Sequence, residues 1–345
     1  MSINLTGRRI AIIGGAGFIG HNLALALHEA GAAVEIIDSL QVNNLLWFAS
    51  GANDPANREW NLRMINQRLD LLRAAGIGLH PQDARDYHAL SRILDHVRPQ
   101  VIVHLAAVSH AGRSNKDPYS TFDHSLRTLE NALDCARSGN VEHFVFLSSS
   151  MAYGNFLTDA VTEDHPLNPI GIYGALKVAG EKMVVAYEQV FGLPYTILRP
   201  SALYGPRCVS RRVVQIFIES ALRGQKLRVD GDGAERLDFT FISDLVQGVM
   251  RAIGTPAAHN NIFNITYGRS RSIMELVGLL RNDFPDLAVE SVERDKLMPF
   301  RGTLNTDKAV ELLGYAPNHP LEVGLLKYVQ WYRELTNSEQ AAVGV

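Results

Sequence analysis

Tyr173 and Lys177 stand four residues apart, and Ser149 precedes the tyrosine by 24 residues. On a helix, an i, i+4 pair projects from one face. A free tyrosine, with a pKa of about 10, is a weak base at neutral pH. An ammonium held beside it favours the phenolate and moves its titration toward the working range. A serine hydroxyl can hydrogen-bond a substrate oxygen that gains or loses a proton. The trio therefore suits moving a proton off and back onto an alcohol. With eleven Tyr and seven Lys in 345 residues, chance gives about 0.2 Tyr-x-x-x-Lys pairs, and the sequence contains this single one.

A second constellation is the run Gly14-Gly15-Ala16-Gly17-Phe18-Ile19-Gly20. It follows a β-branched strand pattern, Arg9–Ile13, and opens a helical pattern, Gly17–Ala30, that Gly31 ends. In that context Gly14 permits a tight turn, Gly17 lets the backbone approach a pyrophosphate, and Gly20 allows close helix–strand packing. The helix N-terminus then faces the anion. Asp38 ends the next strand pattern, Val34–Asp38, 18 residues after Gly20. A carboxylate there can accept both ribose hydroxyls of an adenosine and repels a 2′-phosphate. No Arg follows in Ser39-Leu40-Gln41, so the expected cofactor is NAD rather than NADP.

The elements that position these groups alternate. Helical spacing is expected over Arg58–Ala75, with Gly76 as its stop, and Asn43–Asn57 reads as a loop. Val101–Ala107 and His143–Ser148 are near-continuous apolar runs, the pattern of strands buried on both faces. Gly171–Phe191 is a long helix and Tyr195–Arg199 a strand. This rhythm predicts an α/β fold built of right-handed βαβ units, with a doubly wound parallel sheet covered on both faces. After Tyr204 the rhythm changes. Arg211–Arg223, Ser243–Ala252, Ser272–Asn282 and Leu321–Leu335 read as helices, Thr240–Ile242 as a short strand, and Asn337–Val345 as a frayed tail.

Charge is balanced, with 33 Lys+Arg against 36 Asp+Glu, which argues against a nucleic-acid or polybasic membrane surface. Hydrophobic residues at 46% and charged residues at 20% suit a globular chain and not a disordered one. Cys135 and Cys208 are the two cysteines, too few for a disulfide framework or zinc cluster. No apolar run approaches the roughly 20 residues that span a bilayer, and the N-terminus lacks a signal-peptide core. A cytoplasmic protein is expected. His80, His88, His96, His104 and His110 have no metal-ligand spacing, so no metal is expected, and His104 reads as a core residue. Trp47 and Phe48 read as packing.

Together the glycine turn, Asp38, His104-Leu105-Ala106-Ala107, Ser148-Ser149 and Tyr173-x-x-x-Lys177 resemble the extended short-chain dehydrogenase/reductase family. Tyr204-Gly205-Pro206-Arg207, Gly231-Asp232-Gly233 and Leu312-Leu313-Gly314-Tyr315-Ala316-Pro317 carry the likeness to about Glu334. The resemblance implies a Rossmann sheet over 1–200 bearing a Ser149, Tyr173 and Lys177 triad, and a smaller mixed substrate-binding domain over 201–336. It implies that Tyr173 is the base and that Lys177 also holds the nicotinamide ribose. Asp83 and Ala84 would lie near the adenine, and Leu105, Ala106 and Ala107 would line the cleft beside Phe18 and Ile19. The family is dominated by enzymes of nucleotide-activated sugars.

Sugar 4,6-dehydratases that resemble this chain carry Asp-Glu after the residue matching Ser149. Here Ser150 and Met151 stand there, and a thioether transfers no proton. The expectation is an NAD-dependent nucleotide-sugar epimerase, acting at carbon 4 by transient oxidation to a ketosugar and return of the hydride. The alternative is a net dehydrogenase or ketosugar reductase. Ser109, Ser150, Met151, Arg207, Arg212 and Arg301 are the candidate substrate contacts. The family's usual Asn before the Val-Tyr-Gly is Ala202 here, and an Arg common before Asp-Phe is Leu237, so Arg207, Arg211, Arg212, Arg236 and Arg301 are the candidates for the diphosphate's counter-charge, Arg301 first among them, each weighed against a solvated surface Arg. The likeness also implies a homodimer packed through helices near Ser120–Ala136 and Gly171–Phe191.

Overall fold

The computed structural model describes residues 3–49, 55–108, 111–139 and 141–343. Seven parallel strands form the central sheet. In chain order the first five are β1 (Arg9–Ile13), β2 (Ala33–Asp38), β3 (Gly78–Pro81), β4 (Val101–His104) and β5 (His143–Leu147). Across the sheet the order is Asn261–Asn264, Tyr195–Arg199, β5, β4, β1, β2, β3. The order reverses at β1 and β4, the switch point where open α/β sheets leave a crevice.

The strand period of two sorts each strand between two cores. Ile10 and Ile12 of β1 face one, Ala11 and Ile13 the other. Val103 and Val145 share the face of Ile12, while Ile102, Phe144 and Phe146 share that of Ile13. The first face is covered by α1 (Phe18–Glu29), α2 (Leu45–Ala49) and α3 (Pro55–Ala74). The second is covered by α4 (Tyr87–Val97), α7 (Thr128–Ser138) and α8 (Gly171–Phe191). Two short helices, α5 (Ala111–Lys116) and α6 (Pro118–Phe122), followed by a wide turn at Asp123–Arg127, lead into α7.

The remainder of the chain forms α9 (Val213–Leu222), α10 (Ile242–Gly254), the helices Ile273–Leu280, Asp307–Leu313 and Leu321–Val343, and four two-stranded ribbons. Leu245 and Val249 of α10 belong to the same buried cluster as Leu23 and Leu27 of α1. The strand Asn261–Asn264 returns to the central sheet beside Tyr195–Arg199. The second half therefore extends the first half's core.

Several sequence expectations change. The stretch read as a loop, Asn43–Asn57, contains α2 and the start of α3. Phe48 is buried there and Trp47 packs beside it under the Arg113 guanidinium, 3.6 Å from the ring. The strands expected over Val101–Ala107 and His143–Ser148 end at His104 and Leu147, because the chain leaves the sheet where the cleft begins. The last helix runs from Leu321 to Val343.

Candidate active site

Every expected cofactor residue of the first 110 positions comes to one groove at the carboxyl ends of β1 to β4. Gly14, Gly17, Phe18, Ile19 and Gly20 form its floor, Asp38 and Asp83 with Ala84 one end, and Leu105, Ala106 and Ala107 the wall from β4. Ser39, Val42, Asn43, Gln82, His124 and Thr128 also line it. Ser210 and Arg212 reach it from the second half of the chain.

The glycine turn explains itself by contact. Gly14 has φ +85°, and a Cβ there would lie 2.7 Å from the Ala106 nitrogen. A Cβ on Gly20 would meet Gly15 Cα and O, both at 2.5 Å. Gly17 differs. A Cβ there would touch Gly14 O at 3.2 Å and nothing else within 4 Å, so it would project into the groove. No side chain caps the first turn of α1, and no acidic residue occupies it. Its N–H groups are therefore presented to an anion in the groove.

Asp38 accepts hydrogen bonds from the Ala16 amide (3.0 Å) and the Leu40 amide (2.8 Å), which fix its carboxylate at the strand end. Burial raises its pKa against those bonds. A carboxylate there accepts ribose hydroxyls and repels a 2′-phosphate. Asp83 is engaged by Arg85, whose Nη2 lies 2.6 Å from Oδ2. Burial would raise the Asp83 pKa, but the Arg85 hydrogen bonds hold it below its ordinary value.

The Tyr/Lys pair lies on α8. The buried Ser149 follows β5, and its hydroxyl accepts from the Met151 amide at 3.2 Å. The Tyr173 phenol is raised by burial and drawn back by the charge of Arg212 and a hydrogen bond with Ser149. Lys177 is buried. Its Nζ donates to Leu147 O at 2.6 Å and sits 5.9 Å from the centroid of the Tyr173 ring. Burial pushes the ammonium down to about 8, opposed by Glu181. Lys177 thus stands over the Tyr173 ring while it is bonded to the end of β5, and the charge of Arg212 also bears on the phenol.

One turn beyond Lys177, Glu181 continues the same helical face. It is buried against Arg199, with Nη2–Oε2 at 2.6 Å and Nε–Oε1 at 2.9 Å, and accepts from Ser148. This pair ties α8 to the strand Tyr195–Arg199 and to Ser148, the residue before Ser149. Its sequence signal was the i+4 continuation of the Tyr/Lys spacing.

The candidate substrate residues divide. Ser150 and Met151 are buried in the turn Ser150–Ala152, and neither lines the groove. Arg207 is drawn away from the expected role: its Nε donates to His21 Nε2 at 3.0 Å and its Nη2 reaches Asn22 Oδ1 at 3.5 Å, both on α1. Arg236 is tied to Ser270 O and Glu275, and Leu237 is buried. Arg212 and Arg301 each keep a buried Nε with no hydrogen-bond partner among the described residues. Arg301 faces Glu235 at 3.5 Å. Ser109 and His110 lie outside the described residues. Among the described residues no group of three or more His, Cys, Asp or Glu could hold a metal ion, and no helix is long and apolar enough to cross a membrane. His104 is buried between Phe144 and Phe146.

Residues 10–266 match the NAD dependent epimerase/dehydratase family. A UDP-glucose 4-epimerase of Mycolicibacterium smegmatis is 30% identical over 337 residues, 94% of this chain and 98% of that protein. The crystal structure of UDP-glucuronic acid 4-epimerase from Bacillus cereus, in complex with UDP-glucuronic acid and NAD, superposes with a TM-score of 0.84. It is 26% identical and covers 94% of this chain and 99% of that one. A dTDP-glucose 4,6-dehydratase structure from Streptomyces venezuelae, with NAD bound, is also similar, with a TM-score of 0.81, 27% identity and coverage of 94% and 97%. The chain belongs to the NAD-dependent epimerase/dehydratase family. The open Gly17, the uncapped α1 and the fixed Asp38 fit that family's cofactor.

Proposed function

We propose that this protein is a nucleotide-sugar 4-epimerase. The observation that carries this reading is the pairing of a Tyr173–Ser149 proton site with a buried Met151 where the dehydratases resembled by this chain carry an acid. Both reactions need a proton moved at a sugar hydroxyl. Dehydration also needs an acid and a base to expel water, and neither Ser150 nor Met151 supplies that pair at neutral pH. The M. smegmatis and B. cereus relatives, both 4-epimerases by description, support the same choice.

NAD, when bound, supplies reversible acceptance of a hydride, so that oxidation at carbon 4 and reduction from the other face leave no net redox change. The chain's own residues do the rest. The Tyr173 Oη takes the proton of the 4-hydroxyl and returns it to the ketone oxygen. Ser149 Oγ holds that oxygen in register with the phenol. The Lys177 ammonium over the Tyr173 ring and the charge of Arg212 favour the phenolate against the cost of burial. Lys177 Nζ, which donates to Leu147 O, holds the ribose hydroxyls at the end of β5 in this reading. Arg212 and Arg301, with their unpartnered Nε groups, are the cations for the sugar nucleotide's diphosphate. Asp38 and the glycine turn hold the adenosine and pyrophosphate.

The protein is further read as a homodimer through the helices near Ser120–Ala136 and Gly171–Phe191, where Val190 and Phe191 are exposed at 71% and 49%. Light scattering at micromolar concentration tests this, and a monomer mass contradicts it. The function is tested by incubation with UDP-, GDP-, CDP- and dTDP-hexoses, following NMR and absorbance at 340 nm. A C4 isomer without accumulated NADH supports the epimerase. Stoichiometric NADH with a ketosugar moves the protein to the dehydrogenases, and a 4-keto-6-deoxy sugar to the dehydratases.

A further inference from the structure

The segment from Tyr204 to α9 follows an unusual path. Gly205 has φ +144°, and two residues with side chains, Arg207 and Arg211, have φ +63° and +50°. Such left-handed backbone is costly for L-residues and persists where the surroundings hold it. One holder is Arg68 of α3, which is fully buried. Its Nε donates to Arg207 O at 3.0 Å, and its Nη2 donates to the same oxygen. Nη1 has no hydrogen-bond partner among the described residues.

The Arg207 side chain runs the other way, onto α1. An arginine only donates, so His21 Nε2 must accept its Nε–H, at 3.0 Å. His21 Nδ1 then carries the ring proton and donates it to Gly17 O, at 2.9 Å. That tautomer is the neutral imidazole. Burial, Arg68 and Arg207 hold the His21 pKa well below its ordinary value, which agrees with it. Asn22, the second contact of Arg207, donates to Phe18 O at 2.9 Å. A continuous chain of hydrogen bonds thus runs from the middle glycine of the turn through His21 and Arg207 to Arg68. Ser210 and Arg212, three and five residues past Arg207, are the two groove residues contributed by the second half of the chain.

We propose that Arg68, Arg207 and His21 form a positioning clasp that seats the 205–212 segment on the glycine-turn helix, so that Ser210 and Arg212 close the NAD groove. The clasp rests on the groove being the NAD site and is independent of which sugar the enzyme takes. An arginine buried to hold one carbonyl is a poor device for stability alone, since an apolar side chain of similar length fills such a space at less cost. Its use is to set where Arg212 stands.

The test is a double-mutant cycle on NADH affinity, read by nicotinamide fluorescence on the purified full chain, with circular dichroism as the check on folding. Arg212→Met and Arg68→Met each weaken NADH binding about tenfold. The double variant binds within about twofold of the weaker single variant, because residues acting as one unit are not additive. Arg68→Lys, which keeps a donor to the carbonyl, recovers part of the loss. Where Arg68→Met does not fold, Arg207→Met replaces it in the cycle, removing the contacts to His21 and Asn22 while leaving the carbonyl. Unchanged affinity in folded Arg68→Met or Arg207→Met overturns the clasp, as do losses that multiply in the double variant. Failure of the sugar panel to yield a C4 isomer leaves this affinity cycle standing, so the two readings fail separately.

Discussion

Gly17→Ala separates the cofactor's needs from the fold's. The added methyl would sit 3.2 Å from Gly14 O with no other atom within 4 Å. Gly17 has φ −73°, which alanine adopts freely. The chain without cofactor should therefore keep its stability, with Tm within about 2 °C of the parent. The methyl instead occupies the floor of the groove between the turn and the N-terminus of α1. A methyl forced into a fitted contact costs about 1–3 kcal/mol, or roughly 5- to 150-fold in the NADH dissociation constant. Gly20→Ala is the contrasting case. Its methyl would meet Gly15 Cα and O at 2.5 Å, so backbone must move, and both Tm and NADH affinity should fall. The assay is a fluorescence titration with NADH beside a thermal melt of each variant. Parent-like NADH affinity in Gly17→Ala would refute the placement of the pyrophosphate on this turn.

Other outcomes follow from the same geometry. Glu181→Gln should cost about 3–5 kcal/mol, because it leaves the Arg199 guanidinium buried without its carboxylate, and a thermal melt should show a fall of several degrees. His104 and His143 are held down to about 3 by burial, below their unfolded value of about 6.5. The unfolded chain therefore binds more protons than the folded one between those limits. Stability should fall as pH drops from about 6.5 toward 3, by about 1.4 kcal/mol per pH unit for each proton. Urea midpoints from pH 7 to 4 measure this, and His143→Gln should flatten the slope. Tyr173→Phe should lower turnover by at least about a hundredfold while leaving NADH affinity within about threefold, as kinetics and titration on one preparation would show.

Much of this was legible in the sequence where local rules and tertiary structure agree. Arg9–Ile13, Gly171–Phe191 and Tyr195–Arg199 stand where their patterns put them. The glycine spacing needed only its strand and helix to be interpretable. Asn261–Asn264 was missed because a four-residue strand paired across a long excursion leaves no local signature. Gly78–Pro81 was missed because its residues, only partly buried at the sheet's edge, lack an apolar run. The 205–212 segment was opaque for another reason: nothing local marks Arg207 and Arg211 for left-handed backbone. Nothing local separates Arg68 from the other charges of a polar helix; its burial depends on the Arg207 carbonyl, 139 residues away. The direction of the Arg207 side chain, toward α1 and not into the groove, likewise depends on His21, 186 residues away.

The central claim, that one site takes a hydride from carbon 4 and returns it to the opposite face, is tested most directly by isotope. A nucleotide hexose carrying deuterium at carbon 4, with UDP-glucose as the first probe and the other hexoses of the panel after it, is turned over in ordinary water, and the product's C4 position is read by NMR. The account predicts the inverted sugar with its deuterium retained at carbon 4. Inversion with the label exchanged for solvent hydrogen would contradict it, as would a product that has lost water or has stopped at the ketone.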